Sequence, residues 1–245
     1  MVSYVDTVGK NKQAISEYIR NPLIEDEMMD QITIKEYVDP FTGSKNRKAY
    51  MDLIEEPEFC DEFHQRLLDF YIRWVDFVFE KLGDSAQYLD CVKFSDDMGT
   101  QNSMLFSVNT YRQRIKPYQA ALYGHVKQKY GKKILLHSCR PIIDDLIEIG
   151  VDALNPVQVS AKGMDAEGLK REFGDRITFW GGGVDTQHIL PNGTLEEIRA
   201  DVKKNLEVFK KGGGYVFCQV HNLQGNLDID RVLAMYDAYR MFGKY

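Results

Sequence analysis

The sequence of 245 residues has no excess of basic residues, since 31 Lys and Arg stand against 37 Asp and Glu and the formal net charge is −6. Proteins that bind the phosphate backbone of nucleic acids usually carry the opposite balance, so we do not expect a nucleic-acid partner. Long apolar runs are missing too, because none reaches the roughly 18 residues that a membrane span requires. The N-terminus lacks the basic and then apolar profile of a signal peptide. We therefore expect a cytoplasmic protein with no membrane partner.

Cysteine is scarce: the four residues Cys60, Cys91, Cys139 and Cys218 lie far apart in the chain. A chain of this size does not need disulfides for stability, and a reducing compartment would not maintain them. Free thiols and metal ligands are the roles that remain.

Apolar residues are plentiful, at 44% of the chain, which is enough for one sizeable core. The length is close to the roughly 250 residues of a typical (β/α)₈ barrel. From Cys91 onward, short β-rich runs alternate with longer amphipathic runs, as expected for βα units around a parallel sheet. The pattern predicts five strands, over residues 92–95, 134–137, 151–154, 177–180 and 215–220.

The first 90 residues follow a different pattern. Apolar residues at three- and four-residue steps predict one long helix over about residues 58–82, and its broad apolar face is expected to be buried. Upstream, residues 12–20 resemble a helix and residues 31–37 alternate like a strand. We predict one domain over residues 1–245, with a mainly helical segment (1–90) followed by five βα units (91–245) that carry the site. A complete barrel has eight strands, so either the N-terminal part is unusual or the chain is an abridged version of a longer barrel. The fold class that we expect is α/β, a TIM (β/α)₈-type barrel abridged at its N-terminus.

Polar side chains follow all five predicted strands. The carboxyl ends of parallel strands lie at one edge of a sheet, where active sites form. We assign catalytic roles there to Asp96, Asp97, Gln101 and Asp185, and substrate-binding roles to Asn155, Gln158 and Asn222.

The pair His137 and Cys139 is the sharpest signal. Two such ligands, two residues apart at the end of a strand, together with one more ligand, would form a catalytic zinc site with an open position. Cys218 or His221 supplies that third ligand in our prediction. The alternative is a buried structural cysteine beside a hydrogen-bonded histidine.

Two other motifs have open interpretations. Asp96 and Asp97 are adjacent, so one carboxylate is expected to face the site as a base or charge stabiliser, or else to cap the loop through backbone hydrogen bonds. The triple glycine 181–183 lacks the surroundings of a phosphate-binding loop, so a tight turn is the better interpretation.

Several segments from about residue 90 to the end resemble the uroporphyrinogen decarboxylase superfamily, in the order and spacing of that family. They include FSDDMGTQ, KPYQAAL, KILLHSCRP, ITFWGGGVDT and GGGYVFCQVHN. The resemblance is nearest to the branch of cobalamin-dependent methyltransferases. It implies a (β/α)₈ barrel with its site at the carboxyl ends of the strands.

The resemblance also implies a chemistry. The methyltransferases carry a zinc motif H-x-C followed later by a cysteine, and His137 and Cys139 match its first half. Alignment from the last helix places the third ligand on His221, with Cys218 in reserve. The implied activity is zinc-dependent methyl transfer to or from a corrinoid, carried by a separate corrinoid-binding protein because this chain has no D-x-H-x-x-G signature. A small molecule is the expected methyl donor or acceptor.

Two alternatives remain open. One is a decarboxylase-like lyase acting on a porphyrin or another polycarboxylate, although the arginine-rich motif of the decarboxylases is absent. The other is a non-catalytic abridged barrel. An incomplete barrel would expose strand edges, so we also predict a homodimer, or a partner that closes the sheet.

Overall fold

The computed structural model describes residues 52–244 except residues 138, 221, 224 and 226. The predicted helix 12–20, the predicted strand 31–37 and His221 lie outside these residues. The described chain divides into two compact units. The first unit contains residues 52–99 and 104–154, and the second contains residues 100–103 and 155–244. None of the described helices is both long and apolar enough to cross a membrane.

In the first unit, helices and strands alternate after one long helix. Two short 3₁₀ helices, Gly83–Tyr88 and Arg140–Ile142, join the elements. The elements in chain order are α1 (Pro57–Leu82), β1 (Cys91–Phe94), α2 (Val108–Arg114), α3 (Lys116–Tyr130), β2 (Lys133–Leu136), α4 (Ile143–Glu148) and β3 (Ala153–Leu154).

The second unit continues the alternation. Its elements are α5 (Ala166–Phe173), β4 (Thr178–Trp180), α6 (Ile189–Asn192), α7 (Leu195–Phe209), β5 (Tyr215–Val216) and α8 (Ile229–Phe242). A capping box begins α7, because Thr194 and Glu197 exchange side-chain and backbone hydrogen bonds there. Phe209 at the end of α7 packs between Phe179 of β4 and Tyr215 of β5 and forms part of the core of this unit.

All strand pairs within each unit are parallel. In the first unit β2 pairs with both β1 and β3, and in the second unit β4 pairs with β5. All five predicted strands are present, although β3 and β5 are shorter than predicted. After β4 and β5 end, the two chain segments stay in contact through a 2.9 Å hydrogen bond from Gly183 N to Cys218 O. Gly181 and Gly182 adopt positive φ values of 122° and 67°, which end the regular ladder.

Helix α1 confirms the predicted long helix, but the prediction of its buried face was wrong. Phe59, Phe63 and Trp74 on the predicted face are 61%, 49% and 40% exposed. The helix packs on α3 through the neighbouring face, where the ring of Phe79 stacks on Tyr130 with 3.9 Å between ring centroids. The apolar surface of α1 is wider than one neighbouring helix covers.

Candidate active site

In the first unit, the carboxylate of Asp96 lies just after β1 and is held by a buried glutamine. Gln119 of α3 donates a hydrogen bond from Nε2 to Asp96 Oδ2 at 2.7 Å. The Oε1 atom of the same glutamine accepts a hydrogen bond from the hydroxyl of Tyr111 at 2.9 Å. Asp96 and Asp97 are both exposed residues. Of the two adjacent carboxylates, Asp96 is the one that is hydrogen-bonded to the buried polar groups of this unit.

Tyr111 at the inner end of this chain of hydrogen bonds is completely buried. Burial raises the pKa of its hydroxyl far above the usual value, and the negative charges of Asp145 and Asp96 raise it further. The phenol therefore stays protonated and acts as a donor to Gln119.

His137 and Cys139 directly follow β2. Leu136, the last residue of this strand, is fully buried, whereas His137 and Cys139 are both half-buried. The chain then enters the 3₁₀ helix Arg140–Ile142, and the buried side chain of Ile142 anchors it to the core. An imidazole and a cysteine that forms no disulfide therefore lie at the same strand end, and this donor set suits zinc.

In the second unit, Asn155 connects the loop after β3 with β4 and with the segment after β5. Its Nδ2 atom donates to the backbone oxygen of Trp180 at 3.0 Å and lies 3.9 Å from the sulfur of Cys218. The thiol of Cys218 donates to the backbone oxygen of Gln219 at 3.1 Å. The predicted residues Asn155 and Cys218 are therefore in contact, and both are half-buried.

The triple glycine 181–183 allows the segment after β4 to lie close to the segment after β5. A Cβ atom on Gly183 would collide with the ring of Phe217 and lie 2.8 Å from the backbone oxygen of Cys218. Glycine at position 183 therefore lets the backbone after β4 lie against the backbone of Cys218. No turn is assigned at residues 181–183, so the interpretation of the triple glycine as a tight turn stays a prediction.

In the loops of the second unit, three buried polar side-chain atoms have no hydrogen-bond partner among the described residues. They are Oε1 of Gln101, Nε2 of Gln158 and Oγ1 of Thr186. Their loops are held by backbone bonds, from Lys162 N to Gln101 O at 2.9 Å and from Ala161 N to Gln158 O at 3.0 Å. Buried polar atoms are rarely left unpaired in proteins, so these atoms are candidates to bind a polar ligand.

Asp185 is engaged in the turn that follows β4. Its Oδ1 accepts hydrogen bonds from the backbone nitrogens of Gln187 and His188, and its own backbone nitrogen donates to Asp201 Oδ2 at 2.8 Å. Burial raises the pKa of Asp201, the charge of Asp185 raises it further, and the hydrogen bond from the Asp185 backbone partly offsets both effects.

The remaining predicted residues are less informative. Asn222 is exposed, and His221 lies outside the described residues. Among the residues that the structure describes, no group of three or more His, Cys, Asp and Glu side chains is arranged to hold a metal ion.

Sequence reasoning missed several polar residues near the predicted ones. Tyr111 and Gln119 lie on consecutive helices, and polar residues of helices are usually assigned to the surface. Nothing in the spacing of these two residues indicates that they are hydrogen-bonded to each other. The sequence gives only a weak indication that Thr186 and Asp201 lie near the predicted site. Thr186 directly follows Asp185, and Asp201 lies within the amphipathic helix α7.

The family of the chain follows from comparison with known proteins. The model of the family "Uroporphyrinogen decarboxylase (URO-D)" matches residues 42–242. The chain belongs to the uroporphyrinogen decarboxylase family. The resemblance inferred from the sequence segments is therefore confirmed.

A solved methyltransferase from Methanosarcina mazei has a similar fold, with a TM-score of 0.62 at 20% sequence identity. The match covers 80% of this chain and 54% of that methyltransferase, so the chain spans about half the length of this relative. The predicted fold class is confirmed: the chain has an α/β fold of the TIM-barrel type with parallel strands.

A second similarity is short. A stretch of 42 residues, or 17% of the chain, is 52% identical to the transposase for insertion sequence element IS200 of Salmonella typhimurium and covers 28% of that protein. The same values hold for the transposase of Salmonella typhi.

Proposed function

We propose that this chain is a methyltransferase component that uses zinc and transfers a methyl group to or from a corrinoid carried by a separate protein. The observation that carries the proposal is the pair His137 and Cys139, both half-buried directly after β2 in a chain of the uroporphyrinogen decarboxylase family. The fold similarity to a solved methyltransferase is compatible with this activity.

The ligands that we propose for zinc are His137, Cys139 and His221, with Cys218 as the alternative third ligand. A bound zinc ion would supply a Lewis acid that lowers the pKa of a substrate thiol or withdraws electrons from a methyl-bearing heteroatom. The hydrogen bond to Gln219 and the contact with Asn155 fix the position of the Cys218 thiol.

The other polar residues then take roles that their contacts allow. Asp96 is a fixed acceptor because Gln119 holds its carboxylate, and it is suited to receive or return a proton. Gln101 and Gln158 have buried polar atoms without described partners, so they are suited to bind the polar part of a small methyl donor or acceptor.

The test is a methyl-transfer assay with a methylated corrinoid protein and a panel of thiol acceptors, followed through the visible spectrum of the corrinoid. We expect a change of the corrinoid spectrum that depends on this chain and is lost in Cys139→Ser. Cys91→Ser is the matched control, because Cys91 is a half-buried free thiol outside the H-x-C motif. Transfer at the wild-type rate by Cys139→Ser would contradict the proposal.

The second candidate function is a lyase acting on a porphyrinogen or another polycarboxylate, and the family description favours it. Here Asp96 would stabilise the charge that develops on the substrate, without a metal. Decarboxylation of uroporphyrinogen that persists in Cys139→Ser but is lost in Asp96→Asn would favour this function over methyl transfer.

A further inference from the structure

Three loops of the second unit each contribute one buried polar atom that has no hydrogen-bond partner among the described residues. The atoms are Oε1 of Gln101, Nε2 of Gln158 in the loop after β3 and Oγ1 of Thr186 in the segment after β4. Gln158 is the most deeply buried of the three residues, with 9% of its surface exposed. Buried polar atoms are normally paired, so these three atoms are available to a ligand.

Backbone hydrogen bonds hold the first two of these loops together. The backbone nitrogen of Lys162 donates to the backbone oxygen of Gln101 at 2.9 Å. The backbone nitrogen of Ala161, the residue before Lys162, donates to the backbone oxygen of Gln158 at 3.0 Å. The two glutamines are therefore bonded to consecutive residues of the same loop.

The loop after β3 also lies against the segment after β4. A Cβ atom on Gly182 would lie 3.0 Å from Cγ1 of Val159 and 3.1 Å from the backbone oxygen of Val157. Val157 and Val159 are the two neighbours of Gln158 in the chain. Thr186 follows Gly182 by four residues in the same segment. All three unpaired atoms therefore belong to loops that are in contact with one another.

The chemistry of the three atoms defines the ligand that would pair them. The carbonyl oxygen of Gln101 only accepts hydrogen bonds, the amide nitrogen of Gln158 only donates them, and the hydroxyl of Thr186 does either. A matching ligand therefore presents a donor and an acceptor side by side. A primary carboxamide does this, because its two N–H donors and its carbonyl oxygen lie on one planar group.

The three side chains are all neutral, which selects against an ionised ligand. Burial of a carboxylate or an ammonium group is unfavourable unless an opposite charge pairs with it. The carboxylate next to Thr186 in the chain belongs to Asp185, and it already accepts hydrogen bonds from the backbone nitrogens of Gln187 and His188. A neutral carboxamide therefore fits better than a carboxylate of the same shape, which also lacks a donor for Gln101.

We propose that Gln101, Gln158 and Thr186 form one amide subsite, which binds a neutral carboxamide of the small-molecule methyl donor or acceptor. The proposal deepens the proposed function and rests on it for the role of the ligand. The loop of Gln158 also carries Asn155, whose Nδ2 lies 3.9 Å from the sulfur of Cys218. The amide subsite therefore adjoins the segment of an alternative zinc ligand, near which the methyl group would be transferred.

The test is the binding of propionamide to the purified full chain, measured by saturation-transfer NMR without added metal or corrinoid. We expect saturable binding of propionamide. Propionate has the same shape but is charged and has no donor, and butanone keeps the carbonyl oxygen but has no N–H group. Both should bind roughly tenfold more weakly than propionamide, as expected for the loss of one buried hydrogen bond.

Variants of the glutamines assign the binding to the amide subsite. Gln158→Leu and Gln101→Leu should each weaken propionamide binding roughly tenfold, because each removes one partner of the amide. Gln113→Leu, which changes an exposed glutamine of α2, is the matched control and should bind propionamide like the wild type. Circular dichroism verifies that each variant is folded.

The outcomes separate the amide subsite from the proposed function. Absence of saturable propionamide binding, propionate binding as strong as that of propionamide, or wild-type binding by Gln158→Leu would each overturn the amide subsite. Methyl transfer by a chain that does not bind propionamide would overturn the subsite and leave the proposed function in place. Propionamide binding that depends on Gln158, in a chain without methyl transfer, would support the subsite and contradict the proposed function.

Discussion

Gln119 joins Asp96 to Tyr111: its Nε2 donates to Asp96 Oδ2 at 2.7 Å and its Oε1 accepts from the Tyr111 hydroxyl at 2.9 Å. A carboxamide is the side chain that serves both partners, since one needs a donor and the other an acceptor. A buried residue of α3 therefore fixes the position of the Asp96 carboxylate, a candidate catalytic group.

Replacement of Gln119 by Leu should lower the free energy of unfolding by about 1–3 kcal/mol, because the buried Tyr111 hydroxyl then loses its acceptor. Tyr111→Phe alone should also destabilise the protein. The double variant should cost less than the sum of the two single variants, because it leaves no unpaired hydroxyl. Urea unfolding of the four proteins measures this coupling, and strict additivity would show that the two side chains do not depend on each other.

Gln158 provides a matched comparison, because it is also a buried glutamine but its Nε2 atom has no partner among the described residues. Gln158→Leu should therefore leave the free energy of unfolding unchanged or raise it by about 1 kcal/mol. The same unfolding experiment compares it directly with Gln119→Leu. A loss as large as that of Gln119→Leu would show that the Gln158 amide is paired in the folded protein.

Gly183 is predicted to be intolerant of any side chain. A Cβ atom there would meet the Phe217 ring and the backbone of Cys218, so Gly183→Ala should cost about 2 kcal/mol. It should also increase the reactivity of the Cys218 thiol toward iodoacetamide, mapped by mass spectrometry. Gly225→Ala is the control, because no atom of the described residues lies within 4 Å of a Cβ atom at that position. Equal stabilities of the two variants would contradict this account.

The acid stability of the first unit should depend on Asp76 of α1. Its carboxylate lies within hydrogen-bonding distance of His125, Lys129 and Tyr130 of α3. Burial alone would raise the pKa of Asp76, but these hydrogen bonds outweigh it and hold the pKa well below its usual range. The stabilisation is therefore complete above the unfolded-state pKa of about 4 and is lost as the pH falls toward the lowered value.

Asp76→Asn should lower the free energy of unfolding by about 1–2 kcal/mol at neutral pH and flatten its decrease toward acid pH. Urea unfolding between neutral and acid pH measures both effects. Asp84→Asn controls for the loss of one exposed carboxylate from the same unit. If the wild type and Asp76→Asn lost stability in parallel on acidification, the contacts of Asp76 would not be responsible.

The sequence predicted the strands and the residues that directly follow them, because these features are local. The apolar run of β2 leads straight into His137 and Cys139, and the order along the chain is sufficient to place both at the strand end. The partner of Asp96 could not be predicted, because Gln119 is 23 residues away on a helix. The covered face of α1 could not be predicted either, since its periodicity defines an apolar stripe and leaves open which part of it a neighbouring helix covers.

The zinc content of the purified chain tests the central claim most directly. We expect about one zinc ion per chain by mass spectrometry of the metal after dialysis, retained in Cys91→Ser and lost in His137→Ala and Cys139→Ser, since catalytic zinc sites depend on three protein ligands. His221→Ala and Cys218→Ser identify the third ligand in the same experiment. Absence of zinc from the wild-type chain, or zinc retained undiminished in Cys139→Ser, would contradict the account.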